Sequence, residues 1–334
     1  MFERELAATA AAMVAPGKGI LAIDESSGTI KKRFDSIGIE SNVENRRAYR
    51  DLLIMADSLN EYISGMILYD ETIKQSALNG TPFPAAMKKA GILAGIKVDT
   101  GSKELAHASG EQVTEGLDGL RERLAEYKKL GATFAKWRAV INIGKDIPSQ
   151  YCIDANAHAL SRYAALCQEA GIVPIVEPEV IMDGAHSLER CYDVTENTLA
   201  TLFNTLHRQR VRAEHLVLKA SMVISGKQCP QQASVQQVAD AMVQCLKRTV
   251  PSAVPGIVFL SGGQSDELAT AHLNAMNAGV AKLPWPLSFS YGRALQAPAL
   301  KAWKGQVGNV STAQKALMHR SKLNSAAEIG RAHV

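Results

Sequence analysis

The sequence predicts an α/β protein: a closed (β/α)8 barrel of the TIM type, with an extra N-terminal helix and a C-terminal helix plus tail. Three observations lead there. Eight short, apolar, β-rich runs recur along 334 residues, longer amphipathic or alanine-rich segments separate them, and no Pro/Gly-rich linker divides the chain. Strands that alternate with helices pair in parallel, and eight such units suffice to close a sheet on itself. An open doubly wound sheet is the runner-up, but no GxGxxG opens the first helix. Residues 1–334 are therefore read as one barrel domain.

The elements follow in order. "LAATAAAMVA" (6–15) is an alanine-rich helix that stops at Pro16-Gly17; the preceding "MFERE" is net negative, which argues against a signal-peptide core. The strands are "GILAID" (19–24), "YISGMILYD" (62–70), "GILAGIKV" (91–98), "TFAKWRAVI" (133–141), "IVPIVEPEV" (172–180), "HLVLKASMV" (215–223), "PGIVFLSGG" (255–263) and "LPWPLSFSYG" (283–292). Helical patterning fills 115–130, 154–171, 189–210, 232–249 and 265–277, and a last helix plus tail occupies 311–334.

Composition narrows the function. With 46% hydrophobic and 21% charged residues and a net charge of +4, the chain reads as an ordinary globular protein with a sizeable core. Acids and bases are mixed, so no basic stripe suits a nucleic-acid partner. No run approaches the roughly 18–20 apolar residues of a membrane span. Five cysteines, odd in number and without a CxxC pair, suggest free thiols, and a cytoplasmic location is expected.

Barrel chemistry sits at the C-terminal ends of the strands, and ionisable or hydroxyl groups gather at those ends here. They are Asp24, Lys97 with Asp99, Lys136 and Arg138, Glu177 and Glu179, Lys219, Ser261, and Ser290 with Arg293 just beyond. One charge in an apolar strand is weak evidence, because a lysine can snorkel from a strand end and core ion pairs exist. Charges on most strands of one barrel are hard to explain as structure. Residues two apart share a face, so Lys136 pairs with Arg138 and Glu177 with Glu179. If their strands are neighbours, Lys136, the glutamates and Lys219 form a plus, minus, plus cluster, in which apolar walls and a second cation favour the neutral, nucleophilic amine of Lys219.

Two stretches have the chemistry of phosphate cradles. "SGGQS" (261–265) places Gly262 and Gly263 ahead of a helix, so that successive N–H groups converge on an anion, and "SFSYGRALQ" (288–296) repeats the arrangement with Gly292 and adds Arg293. "DESSGTIKKRF" (24–34) supplies Ser26, Ser27 and Thr29 and then Lys31, Lys32 and Arg33. Alone it reads as a capped, solvated helix start; at a mouth with phosphate cradles, it suggests a substrate with two phosphates.

The motifs "KGILAIDESSGTI", "ENRRAYR", "GIKVD", "GLDGL", "FAKWR", "IVPIVEPE", "LVLKASMV", "FLSGGQS" and "FSYGRALQAPALKAW", in order over about residues 15 to 305, resemble the class I fructose-bisphosphate aldolases. The resemblance implies reversible cleavage of fructose 1,6-bisphosphate through a covalent Schiff base on Lys219, with no separate cofactor and no metal. Glu177 would then move protons during iminium formation, Lys136 would assist it, Glu179 would hold the lysines' geometry, and Asp24 would take the C4 hydroxyl proton. Ser261, Gly262, Gly263, Ser290, Gly292 and Arg293 would bind the phosphate on the dihydroxyacetone half. Ser26, Thr29, Lys32, Arg33, Lys97 and Arg138 would serve the far phosphate or the hydroxyls. Phosphorylated sugars would be the partners, and a homo-oligomer, a tetramer, would be the assembly.

The chain departs from the family pattern at Ala220-Ser221, where Pro-Asn is common, at Thr100, where a lysine is common, and in the closing "EIGRAHV", where animal members end in a tyrosine. His333 is the side chain there that titrates near neutrality; a lone terminal histidine is expected to be a solvated bystander. Three alternatives remain at the level of sequence. These are a related Schiff-base aldolase for sedoheptulose 1,7-bisphosphate or fructose 1-phosphate, a non-enzymatic homologue, and a metal-dependent aldolase. Intact Asp24, Lys136, Glu177 and Lys219 argue against the second, and eight scattered histidines without HxxxH-type spacing argue against the third.

Overall fold

The computed structural model describes residues 2–279 and 282–332. His333 and Val334, on which the expectation about the tail falls, lie outside the described residues. Strands β1 (Gly19–Ala22), β2 (Ile63–Leu68) and β3 (Leu93–Lys97) open the barrel. A two-stranded antiparallel excursion follows, β4 (Gly101–Glu104) and β5 (Gln112–Glu115). The barrel then resumes with β6 (Phe134–Ile141), β7 (Val173–Val180), β8 (Val217–Ala220), β9 (Ile257–Phe259) and β10 (Leu287–Tyr291). Among the described residues eight parallel strands close in the order β1-β10-β9-β8-β7-β6-β3-β2, so every barrel strand lies beside its sequence neighbours. The expected (β/α)8 barrel is the fold.

The observed strands are shorter than the apolar runs that announced them. The run 215–223 contains only Val217–Ala220 as strand, and 255–263 only Ile257–Phe259, because the rest turns outward into loops at either end. Residues 115–130 are not all helix: Gly116 and Gly119 adopt positive φ, and α6 begins at Leu120.

Helices α1 (Glu3–Met13), α2 (Ser27–Asp35), α3 (Val43–Ile54), α4 (Asp70–Ile73), α5 (Phe83–Lys89), α6 (Leu120–Leu130), α7 (Gln150–Glu169), α8 (Leu188–Arg208), α9 (Val235–Thr249), α10 (Asp266–Ala278), α11 (Arg293–Trp303) and α12 (Val310–Glu328) make up the rest. Serine side chains start several of them: Ser149, Ser187, Ser234 and Ser265 each accept from the backbone N–H three residues on.

The barrel interior has its own apolar cluster. Ile20, Ala22, Ile67, Phe134, Val173, Ile175, Val217 and Val258 point inward, and Leu6, Ala10, Met13 and Val14 of the first helical segment close it from below. The extra N-terminal helix is thus the floor of the barrel. Ser64 Oγ lies 2.6 Å from the Met13 carbonyl and 3.0 Å from that of Gly19, placing the end of α1 against β1. Phe134 fills the centre because its neighbours lack side chains: a Cβ on Gly95 would lie 2.2 Å from the ring, and one on Gly65 2.9 Å. On the outside α12 is fastened at several points, with Ser325 Oγ donating to the Gly17 carbonyl and Glu328 accepting from the Gly17 amide.

Candidate active site

The ionisable groups of the mouth stand above the apolar floor on the same strands that build it. Ile20 and Ala22 face inward and the same face continues to Asp24; Phe134 leads to Lys136 and Arg138, Val173 and Ile175 to Glu177 and Glu179, and Val217 to Lys219. The period of two therefore carries an apolar column into a charged one. The cavity they line is about 670 Å³, a size that admits a sugar bisphosphate.

The centre is a chain of four ionisable side chains, of which Lys136, Glu177 and Lys219 are buried and Asp24 is half-buried. Lys136 Nζ lies 2.7 Å from Asp24 Oδ2 and 3.3 Å from Glu177 Oε2, and Glu177 Oε1 lies 3.2 Å from Lys219 Nζ. Burial would raise the Asp24 carboxyl, but Lys136 first and Lys219 next outweigh it and hold it at about 2. Burial likewise opposes the ionised Glu177, and Lys136, Lys219 and Arg138 hold its carboxyl low. Burial favours neutral Lys136, yet Asp24 and Glu177 raise it well above the ordinary lysine value. Asp24 and Glu177 are therefore ionised and Lys136 charged at neutral pH. Glu177 touches both lysines, as the plus, minus, plus reading required.

Around this centre six cationic side chains (Arg33, Lys97, Lys136, Arg138, Lys219, Arg293) face five carboxylates (Asp24, Glu25, Asp99, Glu177, Glu179) across the cavity. Most are paired. Lys97 lies 2.6 Å from Asp99, Arg138 bonds Glu179, and Arg33 bonds Glu25. Glu179 thus engages Arg138, not the lysines whose geometry it was expected to hold. Arg293 differs, since its guanidinium donates to the Gly262 carbonyl, which leaves its charge uncompensated by that contact. Ser290 Oγ is buried, lines the cavity and has no hydrogen-bond partner among the described residues, as suits a hydroxyl that awaits a ligand oxygen.

The cavity brings together Asp24, Ser26, Thr29, Arg33, Lys97, Lys136, Arg138, Glu177, Glu179, Lys219, Ser261, Gly262, Ser290, Gly292 and Arg293. Two expected residues do not line it. Lys32 is exposed on α2, and Gly263 is covered: a Cβ there would meet Lys227 Cε at 2.1 Å and Met182 Sδ at 2.8 Å, and its amide donates to that sulfur.

Sequence reasoning missed Glu25 and Arg50. Glu25 follows Asp24, has a largely covered side chain, and lies 2.8 Å from Arg50 Nη2, while Gln296 Nε2 donates to it at 2.8 Å and to the Ala22 carbonyl at 2.6 Å. Burial opposes its ionised form, but Arg50 and Arg33 keep its carboxyl low. The available signal was the "ENRRAYR" stretch, whose last arginine is Arg50. Among the described residues no three His, Cys, Asp or Glu side chains come together as a metal-ligating set, and no helix is long and apolar enough to cross a membrane.

Comparison with known proteins agrees with this geometry. The family model for "Fructose-bisphosphate aldolase class-I" matches residues 5–333. A probable class 1 fructose-bisphosphate aldolase of Xanthomonas campestris pv. campestris is 63% identical over 328 residues, covering 98% of each chain. The fructose-bisphosphate aldolase of Dictyostelium discoideum is 52% identical, over 99% of this chain and 93% of that protein. The solved fructose-bisphosphate aldolase of Plasmodium falciparum superposes with a TM-score of 0.98 at 47% identity, covering 99% of this chain and 96% of that one. A closed barrel whose mouth holds two lysines on one glutamate, matched over nearly its whole length by these proteins, belongs to the class I fructose-bisphosphate aldolase family.

Proposed function

We propose that this aldolase cleaves fructose 1,6-bisphosphate reversibly through an imine on Lys219, and that the residues of the mouth divide the work as follows. The amine of Lys219 adds to the C2 carbonyl, giving a carbinolamine. Glu177, ionised in the resting site, takes the proton that Lys219 gives up on becoming a free amine and hands it to the departing hydroxyl, so that loss of water leaves an iminium. The iminium draws in the electron pair as the C3–C4 bond breaks, and Asp24 takes the proton of the C4 hydroxyl. Glyceraldehyde 3-phosphate departs, the enamine is protonated at C3, and water releases dihydroxyacetone phosphate from Lys219. Lys136, charged throughout the neutral range, stabilises negative charge developing on oxygen.

Ser261, Gly262, Ser290, Gly292 and Arg293 hold the phosphate on the dihydroxyacetone half; Ser26, Thr29, Arg33, Lys97 and Arg138 face the other end. The observation that carries this reading is the 3.2 Å approach of Lys219 Nζ to Glu177 at the base of a cavity with cations and hydroxyls on both sides. The iminium acts as electron sink, so activity should survive EDTA; loss restored by zinc would overturn that part. A cytoplasmic homotetramer is the proposed state, supported by the family resemblance and tested by sedimentation and cell fractionation.

The decisive experiment is borohydride reduction in the presence of dihydroxyacetone phosphate, followed by peptide mapping. One modified lysine is expected, Lys219. Modification elsewhere, or none, would refute the reading.

A further inference from the structure

We propose that Arg320, on α12, is a positioning residue for the phosphate cradle, holding the first turns of α10 and α11 in fixed relation to each other. The inference rests on the reading that the loops 261–265 and 288–293 bind a phosphate. Those loops lead straight into α10 and α11, whose first residues are Asp266 and Arg293. Arg320 reaches both helices from behind. Its Nε donates to the Ala294 carbonyl at 3.2 Å, and its Nη2 lies 2.5 Å from the Asp266 carbonyl and 2.7 Å from Thr270 Oγ1. One rigid guanidinium fork thereby spans the two elements that form the two sides of the cradle.

Stability alone accounts poorly for this arginine. It is 6% exposed, and all three of its hydrogen bonds go to neutral oxygens. A cation buried in that way is costly, and it stands at the N-terminal ends of two helices, where the helix dipole disfavours positive charge. The same features suit an anion site, because a buried cation behind two helix starts adds to the positive potential in front of them. Burial raises the Asp266 carboxyl and Arg320 is the first charge to oppose that rise, so the cation is felt at the first residue of α10. The mounting is also firm. Asn324 Nδ2 donates to the Arg320 carbonyl at 2.9 Å, and Thr270 Oγ1 donates to Asn324 Oδ1 at 3.0 Å.

The test measures KM and kcat for fructose 1,6-bisphosphate, and inhibition by inorganic phosphate, in the full chain. For Arg320→Met, KM and the phosphate inhibition constant should each rise about tenfold while kcat changes less than about threefold, the pattern of a displaced binding group. Arg320→Lys keeps the charge but cannot span both carbonyls, and should show about a threefold rise. If Arg320→Met does not fold, Thr270→Val removes one acceptor and leaves the charge, and should likewise raise KM by about threefold. A folded Arg320→Met, or in its absence a folded Thr270→Val, with unchanged KM and phosphate inhibition would overturn the proposal and leave Arg320 as a fastening of α12. Arg293→Ala separates the two readings. If it weakens phosphate inhibition while the Arg320 variants do not, only the positioning role falls; if phosphate inhibition is unchanged in Arg293→Ala as well, the cradle itself has been misplaced.

Discussion

The floor and the mouth of this barrel are built on the same strand faces, a few residues apart, and have opposite chemistry. Below, Phe134, Val173, Ile175, Val217 and Val258 close on one another and on Leu6, Ala10 and Met13 of α1. Above, Lys136, Glu177, Lys219 and Asp24 occupy the next inward positions and spend little of their charge on water. The difference teaches how a single scaffold separates stability from reaction. The floor removes apolar surface from water, which stabilises the fold without regard to pH. The mouth keeps charges desolvated, which is tolerated because each lies against an opposite charge.

Breaking the mouth at its nucleophile should cost turnover and spare the fold. In Lys219→Arg the guanidinium cannot form an imine, so activity should fall by several orders of magnitude, on the order of 10³-fold or more, with native circular dichroism. Near-normal turnover would end the mechanism. Breaking the floor should do the reverse. Phe134→Ala empties the space that Gly65 and Gly95 leave for the ring and should destabilise by about 3–5 kcal/mol, read from urea unfolding, while folded protein keeps turnover within about threefold. Turnover lost in step with stability would show that the two regions are not separable.

A smaller effect sharpens the comparison within the mouth. Arg293→Ala removes the cation whose contact is a backbone carbonyl, and should weaken binding of dihydroxyacetone phosphate by about 2–4 kcal/mol. Dihydroxyacetone itself, which has no phosphate, should be affected far less. Equal losses for both compounds would move the phosphate site elsewhere.

What could be read from the sequence follows the same division. Lys219 and Asp24 were legible because each is a charge in or closing a β-rich apolar run, at the strand ends where barrel chemistry sits. Arg50 and Arg320 were not, because each lies on a helix among other polar residues and acts through folding: Arg50 meets a carboxylate 25 residues back, and Arg320 meets two main-chain carbonyls. Carbonyls have no signature in a sequence. The hairpin of β4 and β5 was missed for a related reason, since "GSKE" and "QVTE" contain no apolar run and are held by pairing with each other. Gly116 and Gly119 marked the break before α6, but a helical pattern read across them.

The last prediction concerns acid and has the smallest expected effect. Asp24 is held at about 2 in the folded chain against an ordinary value of 3.8, so folding favours its ionised form. A depressed carboxyl stabilises the fold fully above its unfolded value and loses that contribution as pH falls toward the folded one. The window here runs from about pH 4–5 down to about 2, and the interval corresponds to about 2 kcal/mol. Asp24→Asn cannot make this contribution. Its deficit in unfolding free energy relative to the parent should be about 2 kcal/mol at pH 5 and shrink toward zero by pH 2. The deficit of Phe134→Ala should stay constant over the same range, because no titrating group is lost from the floor. If the Asp24→Asn deficit were equally flat, the ion pair with Lys136 would have no part in stability, and the contrast between a pH-sensitive mouth and an indifferent floor would fail.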